Sequence, residues 1–223
     1  TDRVKGAAFT RASRAIVIAV KESGGSTDPE KNFRLRLAIE KARSVNMPKE
    51  NITNAIQRAG GAGVGEIHEV VYEAFGPGNS ALLITVATDN INRAVTAVKN
   101  VLEHHGGNLV QKGAVSYLFQ RIGVLTFPRA AQRADQLFEL AVTFGAEDVQ
   151  STADLLNVFV PLSILSQAKD AFTRSGVEPE NIDIIYKPKV QSTLEASDND
   201  KLQNLITALL ELDDIQRVFS NST

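Results

Sequence analysis

Three patterns in the sequence predict an α+β fold with three parts. The first 60 residues place apolar side chains at helical spacing in three successive segments. Residues 72–119 follow the order β-β-α-β, and residues 123–187 follow the order β-α-β-β-α-β. We therefore predict an N-terminal three-helix bundle (1–65), a central α/β hub completed by the C-terminus (66–122 plus 188–223) and a ferredoxin-like β-α-β-β-α-β domain inserted into it (123–187).

The bundle is predicted from its helix starts and stops. The first helix has a buried stripe over residues 9–20 and ends at Gly24-Gly25. Asp28-Pro29 begins the second helix, with Asp as the cap and Pro at the first helical position. Pro48 begins the third helix, and the glycine-rich run at 60–65 that follows predicts a flexible hinge.

The hub is predicted from strand alternation and turn chemistry. Gly76-Pro77-Gly78 forms a tight turn between two strands, and the strand at 82–88 alternates as if buried on at least one face. Asp89-Asn90 supplies a helix start, Gly106 ends that helix, and a third strand continues to Phe119. The predicted buried stripe of the helix consists of Ile91, Val95, Val98 and Leu102.

The remaining elements follow the same signals. After the inserted domain the chain returns through residues 190–194, and a helix is predicted at 197–212. Its start, Ser197-x-x-Asp200, is typical of a capping box. A last strand at 215–219 is expected to complete the sheet of the hub.

Composition limits the function. Cysteine is absent and there are only three histidines, so we expect no disulfide, no metal site and no cofactor. No apolar run approaches the ~18–20 residues that cross a bilayer, so no membrane partner is expected. No catalytic residues are assigned, and we predict that the protein is not an enzyme. The acidic residues near the C-terminus are explained by helix caps and a solvated helix end; they are Asp198, Asp200, Glu211, Asp213 and Asp214.

Charge is divided unevenly along the chain. Residues 1–65 carry twelve Lys/Arg and six Asp/Glu, a net charge of +6, whereas residues 66–223 carry twelve and twenty, a net charge of −8. The basic part therefore favours a polyanion partner, with a bundle of solvated lysines as the alternative. The predicted nucleic-acid contacts are Arg3, Lys5, Arg11, Arg14, Lys21, Arg34, Arg36, Lys41, Lys49, Arg93 and Asn108.

Two further interpretations concern the kind of contact. The scarcity of aromatic residues in the bundle favours contact with backbone phosphates over stacking on bases. A helix-turn-helix that binds double-stranded DNA is the alternative, although no face of Asn, Gln and Arg was recognised on the third helix. Loop contacts with RNA are predicted at Gly76, Pro77, Gly78, Gly106 and Gly107, with turn geometry alone as the competing explanation.

Several short motifs occur in a characteristic order. They are VKE followed by GG (20–25), NFRLR (32–36), NMPKENI (46–52), YEAFGPG (72–78), DNINR (89–93), and GGNL followed by GAVSYLF (106–119). The series resembles the YebC/TACO1 family of translation factors, long described as transcriptional regulators. It covers most of residues 1–127 and weakens from about residue 135.

The resemblance implies a function and a set of partners. It implies a translation factor bound to large-subunit ribosomal RNA, and also to mRNA, that promotes synthesis of proline-rich or mitochondrially encoded proteins. DNA is the partner in the alternative, and we expect a monomer. The expected compartment is the mitochondrial matrix, because the C-terminal half departs from bacterial patterns and the chain starts without Met; bacterial cytoplasm is the alternative.

Overall fold

The computed structural model describes residues 2–61, 67–129 and 134–222, with the side chains of residues 2–4 and 134 excepted. The protein has the predicted α+β fold and separates into two compact units. One unit is Thr1–Phe119 with Pro188–Thr223, and the other is Gln120–Lys187. The first unit contains the helical domain and the hub.

Three helices form the N-terminal bundle: α1 (Asp2–Glu22), α2 (Phe33–Ser44) and α3 (Lys49–Gly60). α1 packs against both of the others. Their shared core is fully apolar and includes Ile16, Leu35 and Ile52. Of the predicted hinge, only Gly60 and Gly61 are described, and the rest lies outside the described residues.

The second helix begins later than the sequence predicted. Asp28 caps only a turn, in which its carbonyl accepts from the Asn32 amide at 3.0 Å. Asn32 is the actual N-cap, and its side-chain oxygen accepts from the Leu35 amide at 3.0 Å. The same side chain donates to the carbonyl of Ala19 in α1 at 2.9 Å. Asn32 is favoured over Asp28 as the N-cap because its side chain both caps α2 and bonds to α1.

The hub is a four-stranded antiparallel sheet. Its strands are β1 (His68–Phe75), β2 (Ala81–Thr88), β3 (Asn108–Val110) and β8 (Ile215–Ser220), in the order β3-β1-β2-β8. Two helices, α4 (Ile91–His104) and α7 (Ala196–Leu210), pack with β2 and β8 in one core. The pairing of β8 with β2 confirms that the C-terminus completes this sheet.

The central strand β2 is buried along its whole length. Leu82, Ile84 and Val86 belong to the core that contains α4 and α7. The alternate residues, including Leu83, point to the opposite face and are also buried. Helix α1 contacts β2 and β8, so the bundle packs on this second face of the sheet.

The buried stripe of α4 differs from the prediction. Val98 and Leu102 are buried as predicted, but Ile91 is 43% exposed, Val95 is only half-buried, and Ala94 is buried. The start and end of α4 are as predicted, because Asn90 caps it and Gly106 follows it with a φ of +75°.

The third strand of the hub is much shorter than predicted. β3 spans only three residues, and the chain then turns away from the sheet. The buried carboxylate of Glu73 accepts hydrogen bonds from the amides of Gly113, Val115 and Ser116 at 2.7, 2.7 and 2.9 Å. These amides therefore bind a side chain of β1 instead of a neighbouring strand.

The start of α7 also differs from the prediction. The cap position is Glu195, which makes no side-chain capping bond, and the predicted capping-box residues Ser197 and Asp200 lie inside the helix. The amides of Asp198 and Asn199 bond to the carbonyl of Glu195, so the first turn is closed by backbone groups.

The inserted domain confirms the ferredoxin-like order. It consists of β4 (Phe119–Pro128), α5 (Ala134–Thr143), β5 (Asp148–Ser151), β6 (Leu155–Val160), α6 (Leu165–Arg174) and β7 (Asn181–Pro188). Its sheet order is β5-β6-β4-β7. Phe127 of β4 packs against Phe172 of α6 with ring centroids 4.7 Å apart. The predicted start of α5 at residue 131 lies outside the described residues.

Replacing Glu73 by Gln is expected to destabilise the protein by about 1–3 kcal/mol, because an amide group cannot accept from three backbone amides as a carboxylate does. Chemical denaturation of the variant and the parent at neutral pH measures the change. Glu69→Gln, at an exposed position of the same strand, is the matched control. An equal loss in both variants would contradict the role assigned to Glu73.

The stability difference between the parent and Glu73→Gln is expected to depend on pH. Burial raises the pKa of Glu73, but the three backbone hydrogen bonds outweigh it, so the pKa is lowered from its ordinary 4.5. The contribution of Glu73 is therefore complete above pH 4.5 and is lost as pH falls through the lower folded-state pKa. Denaturation curves across acidic pH should show the two proteins converging.

Candidate nucleic-acid interface

The basic residues of the bundle divide into an exposed set and an internally bound set. Lys5, Lys21, Lys41 and Lys49 are exposed, as their predicted role requires. Arg43 and Arg58 are exposed as well and enlarge the basic surface of α2 and α3. We call these six residues the exposed cations.

Two predicted contacts on α2 have partners inside the bundle. Arg34 forms an ion pair with Glu22 at the end of α1. The guanidinium of Arg36 lies over the ring of Phe33, 5.3 Å from its centroid. Both arginines therefore support the packing of α2, which limits their availability to a ligand. The side chain of Arg3 lies outside the described residues.

Arg11 and Arg14 attach α1 to the hub. Arg11 Nη1 donates to the carbonyl of Leu210, the last residue of α7, at 3.0 Å. Arg14 Nη1 donates to the carbonyl of Asp213 at 2.7 Å and to Asp214 Oδ1 at 2.6 Å. The end of a helix leaves its last carbonyls unbonded, and Arg11 satisfies one of them from another domain, whereas Arg14 binds the segment that follows the helix.

Asp214 is shared between two arginines from distant parts of the chain. Arg93 at the start of α4 donates from Nη2 to Asp214 Oδ2 at 3.1 Å and to Asp89 Oδ1 at 2.7 Å. Together with Arg14 these four residues form a cluster that we call the Asp214 cluster. The hydrogen bond from Arg93 lowers the pKa of Asp89, and the bonds from Arg93 to Asp214 and then Asp89 raise the pKa of Arg93.

The sequence did not reveal this role of Asp214. It was assigned to a solvated helix end, yet its side chain is only 12% exposed and lies among arginines. Its partners Arg14 and Arg93 are 200 and 121 positions away, so no local spacing signals the contact. Arg93, predicted to contact RNA, already has both of its carboxylate partners within the hub.

Most of the predicted loop contacts are packing positions. Gly76 and Pro77 are buried, and a Cβ on Gly76 would lie 2.8 Å from Ser80 Oγ. A Cβ on Gly107 would lie 2.8 Å from the carbonyl oxygen of Phe75. Close packing therefore requires glycine at both sites, and the prediction of direct RNA contact is wrong for the buried Gly76 and Pro77.

Three other predicted loop residues remain accessible. Gly78 and Gly106 are exposed, and so is Asn108 at the start of β3. Gly78 has a φ of +64° and faces Leu194, so its backbone conformation also has a structural explanation. Contact of these three residues with RNA stays a prediction.

A groove of about 400 Å³ lies between α1 and α3, and we call it the α1–α3 groove. Asn51, Asn54 and Arg58 of α3 line one side of it. This polar face was not predicted from the sequence, although the spacing of these residues by three and four positions places them on one side of a helix. The complete lining is Phe9, Thr10, Ser13, Arg14, Met47, Asn51, Asn54, Ala55 and Arg58.

The fold and the site define an α+β protein in which a basic three-helix domain precedes a sheet hub that carries a ferredoxin-like insertion. A family model described as "TACO1/YebC protein N-terminal domain" matches residues 1–62, and one described as "TACO1/YebC second and third domain" matches residues 67–222. The chain belongs to the YebC/TACO1 family. The match extends to the C-terminal part, where the motif series had weakened.

Similar proteins cover almost the entire chain. A probable transcriptional regulatory protein of Pseudothermotoga lettingae is 40% identical over 222 residues, 99% of this chain and 87% of the relative. One of Brachyspira hyodysenteriae is 37% identical over 221 residues, 99% of this chain and 89% of the relative. The crystal structure of a conserved hypothetical protein from Aquifex aeolicus matches with a TM-score of 0.86 and 36% identity, over 98% of this chain and 90% of that one.

Two other kinds of feature are absent from the described ranges. No helix there is both long and apolar enough to cross a bilayer. No group of three or more His, Cys, Asp or Glu residues there could hold a metal ion.

Replacing Asp214 by Asn is expected to destabilise the protein by about 2 kcal/mol, because two arginines lose a charged and largely buried partner. Thermal or chemical denaturation measures the loss. A cycle with Arg14→Gln should give a coupling energy of about 0.5 kcal/mol or more, as expected for residues in one network.

Asp213→Asn is the matched control for this prediction. The carbonyl of Asp213 binds Arg14, but its side chain is exposed, so the control should remain close to the parent in stability. Additive effects of the Arg14 and Asp214 substitutions would refute the assigned coupling.

Proposed function

We propose that this protein is a ribosome-associated translation factor that binds RNA through the exposed cations of its helical domain. The observation that carries the proposal is the location of Lys5, Lys21, Lys41, Arg43, Lys49 and Arg58, which are exposed and make no ion pair with any described residue. Membership of the YebC/TACO1 family supports the ribosomal partner.

The exposed cations suit the RNA backbone. Lysine ammonium groups act as mobile point charges that contact phosphates without reading the base sequence. Four of the six cations are lysines, and they are distributed over all three helices. A large structured RNA presents phosphates over such an extended surface, which favours ribosomal RNA as the partner.

The cellular role follows from the family resemblance. The protein promotes peptide synthesis on proline-rich messages or on messages encoded in mitochondria, and it does so as a binding protein with no catalytic residue. The two relatives described above are bacterial, which supports the bacterial cytoplasm over the mitochondrial matrix as the place of action.

A regulator that binds double-stranded DNA is the second candidate. The names of the relatives and the short connection between α2 and α3, from Val45 to Pro48, favour it. A recognition helix must, however, protrude into the major groove. The Asn51, Asn54 and Arg58 side of α3 instead faces a groove whose other side is α1.

Reversing the charge of Lys41, Arg43 and Lys49 to Glu is expected to weaken binding to ribosomal large subunits and to duplex RNA of any sequence. The dependence of log affinity on log salt should become less steep by about one for each cation that contacted a phosphate. Co-sedimentation and fluorescence anisotropy across a salt series measure both effects.

The matched control reverses three exposed lysines of the hub, Lys99, Lys112 and Lys201. It makes the same change in net charge outside the helical domain, so it should retain more binding than the test variant. Equal losses in the two triple variants, or a parent affinity that does not change with salt, would contradict the proposal. Tighter binding to duplex DNA than to RNA would favour the second candidate.

A further inference from the structure

The α1–α3 groove has the size of a small-ligand site. Its volume of about 400 Å³ falls within the ~300–1,000 Å³ typical of ligand pockets. Both of its sides are helices, α1 with Phe9, Thr10 and Ser13, and α3 with Asn51 and Asn54. Such rigid elements hold their side chains in fixed relative positions.

The lining combines an apolar base with neutral hydrogen-bonding groups. Met47 is 7% exposed and Phe9 is half-buried, so both present apolar surface to the groove. Asn51 and Asn54 are exposed. Each carboxamide has two N–H donors and an acceptor oxygen. Donors and acceptors above an apolar surface match the edge and the face of a nucleobase.

The available positive charge lies at Arg58. Arg14 also lines the groove, but its guanidinium is bound to Asp214 and to the Asp213 carbonyl. Arg58 is exposed and forms no ion pair with any residue of the described ranges. The groove therefore offers one cation for a phosphate beside two amides for a base.

The shape of the groove selects against paired bases. The bases of a duplex expose their edges only inside its grooves. A protein group must therefore protrude into a groove, as a recognition helix does, to contact them. Asn51 and Asn54 line one side of the groove and α1 residues line the other, so the groove suits a single base that has left its stack. Unpaired bases in loops and bulges of RNA have this freedom.

We propose that the α1–α3 groove binds one unpaired nucleotide of RNA, with Asn51 and Asn54 hydrogen-bonded to the base and Arg58 to the phosphate. This inference rests on the proposed function, because it assigns a specific contact within the same RNA complex. The exposed cations hold the backbone, and the groove distinguishes an RNA that offers a free base from one that does not.

The test compares a two-stranded RNA duplex that carries a single-nucleotide bulge with the same duplex fully paired, by fluorescence anisotropy on the full chain. The parent is expected to prefer the bulged RNA by about tenfold or more, with the preferred base found from four bulge variants. Asn51→Ala with Asn54→Ala should abolish this preference and leave affinity for the fully paired duplex unchanged.

Two further variants control for altered packing and for changes elsewhere on α3. Asn51→Asp with Asn54→Asp preserves side-chain size but removes the amide donors, so it should lose the preference in a variant with nearly native packing. Thr53→Ala with Gln57→Ala changes two exposed α3 residues that do not line the groove, and it should keep the preference.

The outcomes separate this inference from the proposed function. Equal parent affinity for the two RNA duplexes, or a preference that survives both Asn variants, overturns the groove assignment and leaves the translation factor proposal intact. Absence of RNA binding by the parent overturns both. Equal binding of a bulged DNA duplex, or of free nucleoside monophosphates with the same dependence on Asn51 and Asn54, overturns RNA as the ligand.

Discussion

The contact between Asp214 and two arginines determines how the helical domain and the hub are assembled. Arg14 brings α1 to this carboxylate, and Arg93 brings the start of α4 to it. With α1 held there, β2 is buried on both of its faces. The same helix supplies one side of the α1–α3 groove. One carboxylate thus joins the start of α4 to the helix that covers β2 and lines the candidate site.

Arginine and lysine have different structural roles in the first unit of this protein. Arg11, Arg14, Arg34 and Arg93 form directed hydrogen bonds or ion pairs inside the first unit. A planar guanidinium makes several such bonds at once, whereas an ammonium group is strongly hydrated and costs more to bury. The exposed cations are accordingly mostly lysines. The net charge of the N-terminal segment therefore overstates the charge that a polyanion can reach.

Local features of the fold could be predicted from the sequence because local geometry decides them. Asn90 and Gly106 bound α4 through groups within a few residues. The start of α2 could not be predicted, because Asn32 gains a bond to Ala19 that Asp28 lacks. The exposure of Ile91 depends on how α4 is rotated against α7 and the sheet. The Asp214 cluster and the groove are formed by residues far apart in the sequence. No local spacing of residues therefore predicts them.

The physical separation of cations from neutral amides has a consequence for RNA recognition. If the proposed function is correct, contacts to phosphates supply most of the affinity for RNA. This affinity falls as the salt concentration rises. Hydrogen bonds from Asn51 and Asn54 to a base carry no such charge, and they add selectivity that depends little on salt. A protein that must first reach a highly charged ribosome and then distinguish one of its states needs both kinds of contact. The helical domain offers them on adjoining surfaces of α3, where Lys49 precedes Asn51 and Arg58 follows Asn54.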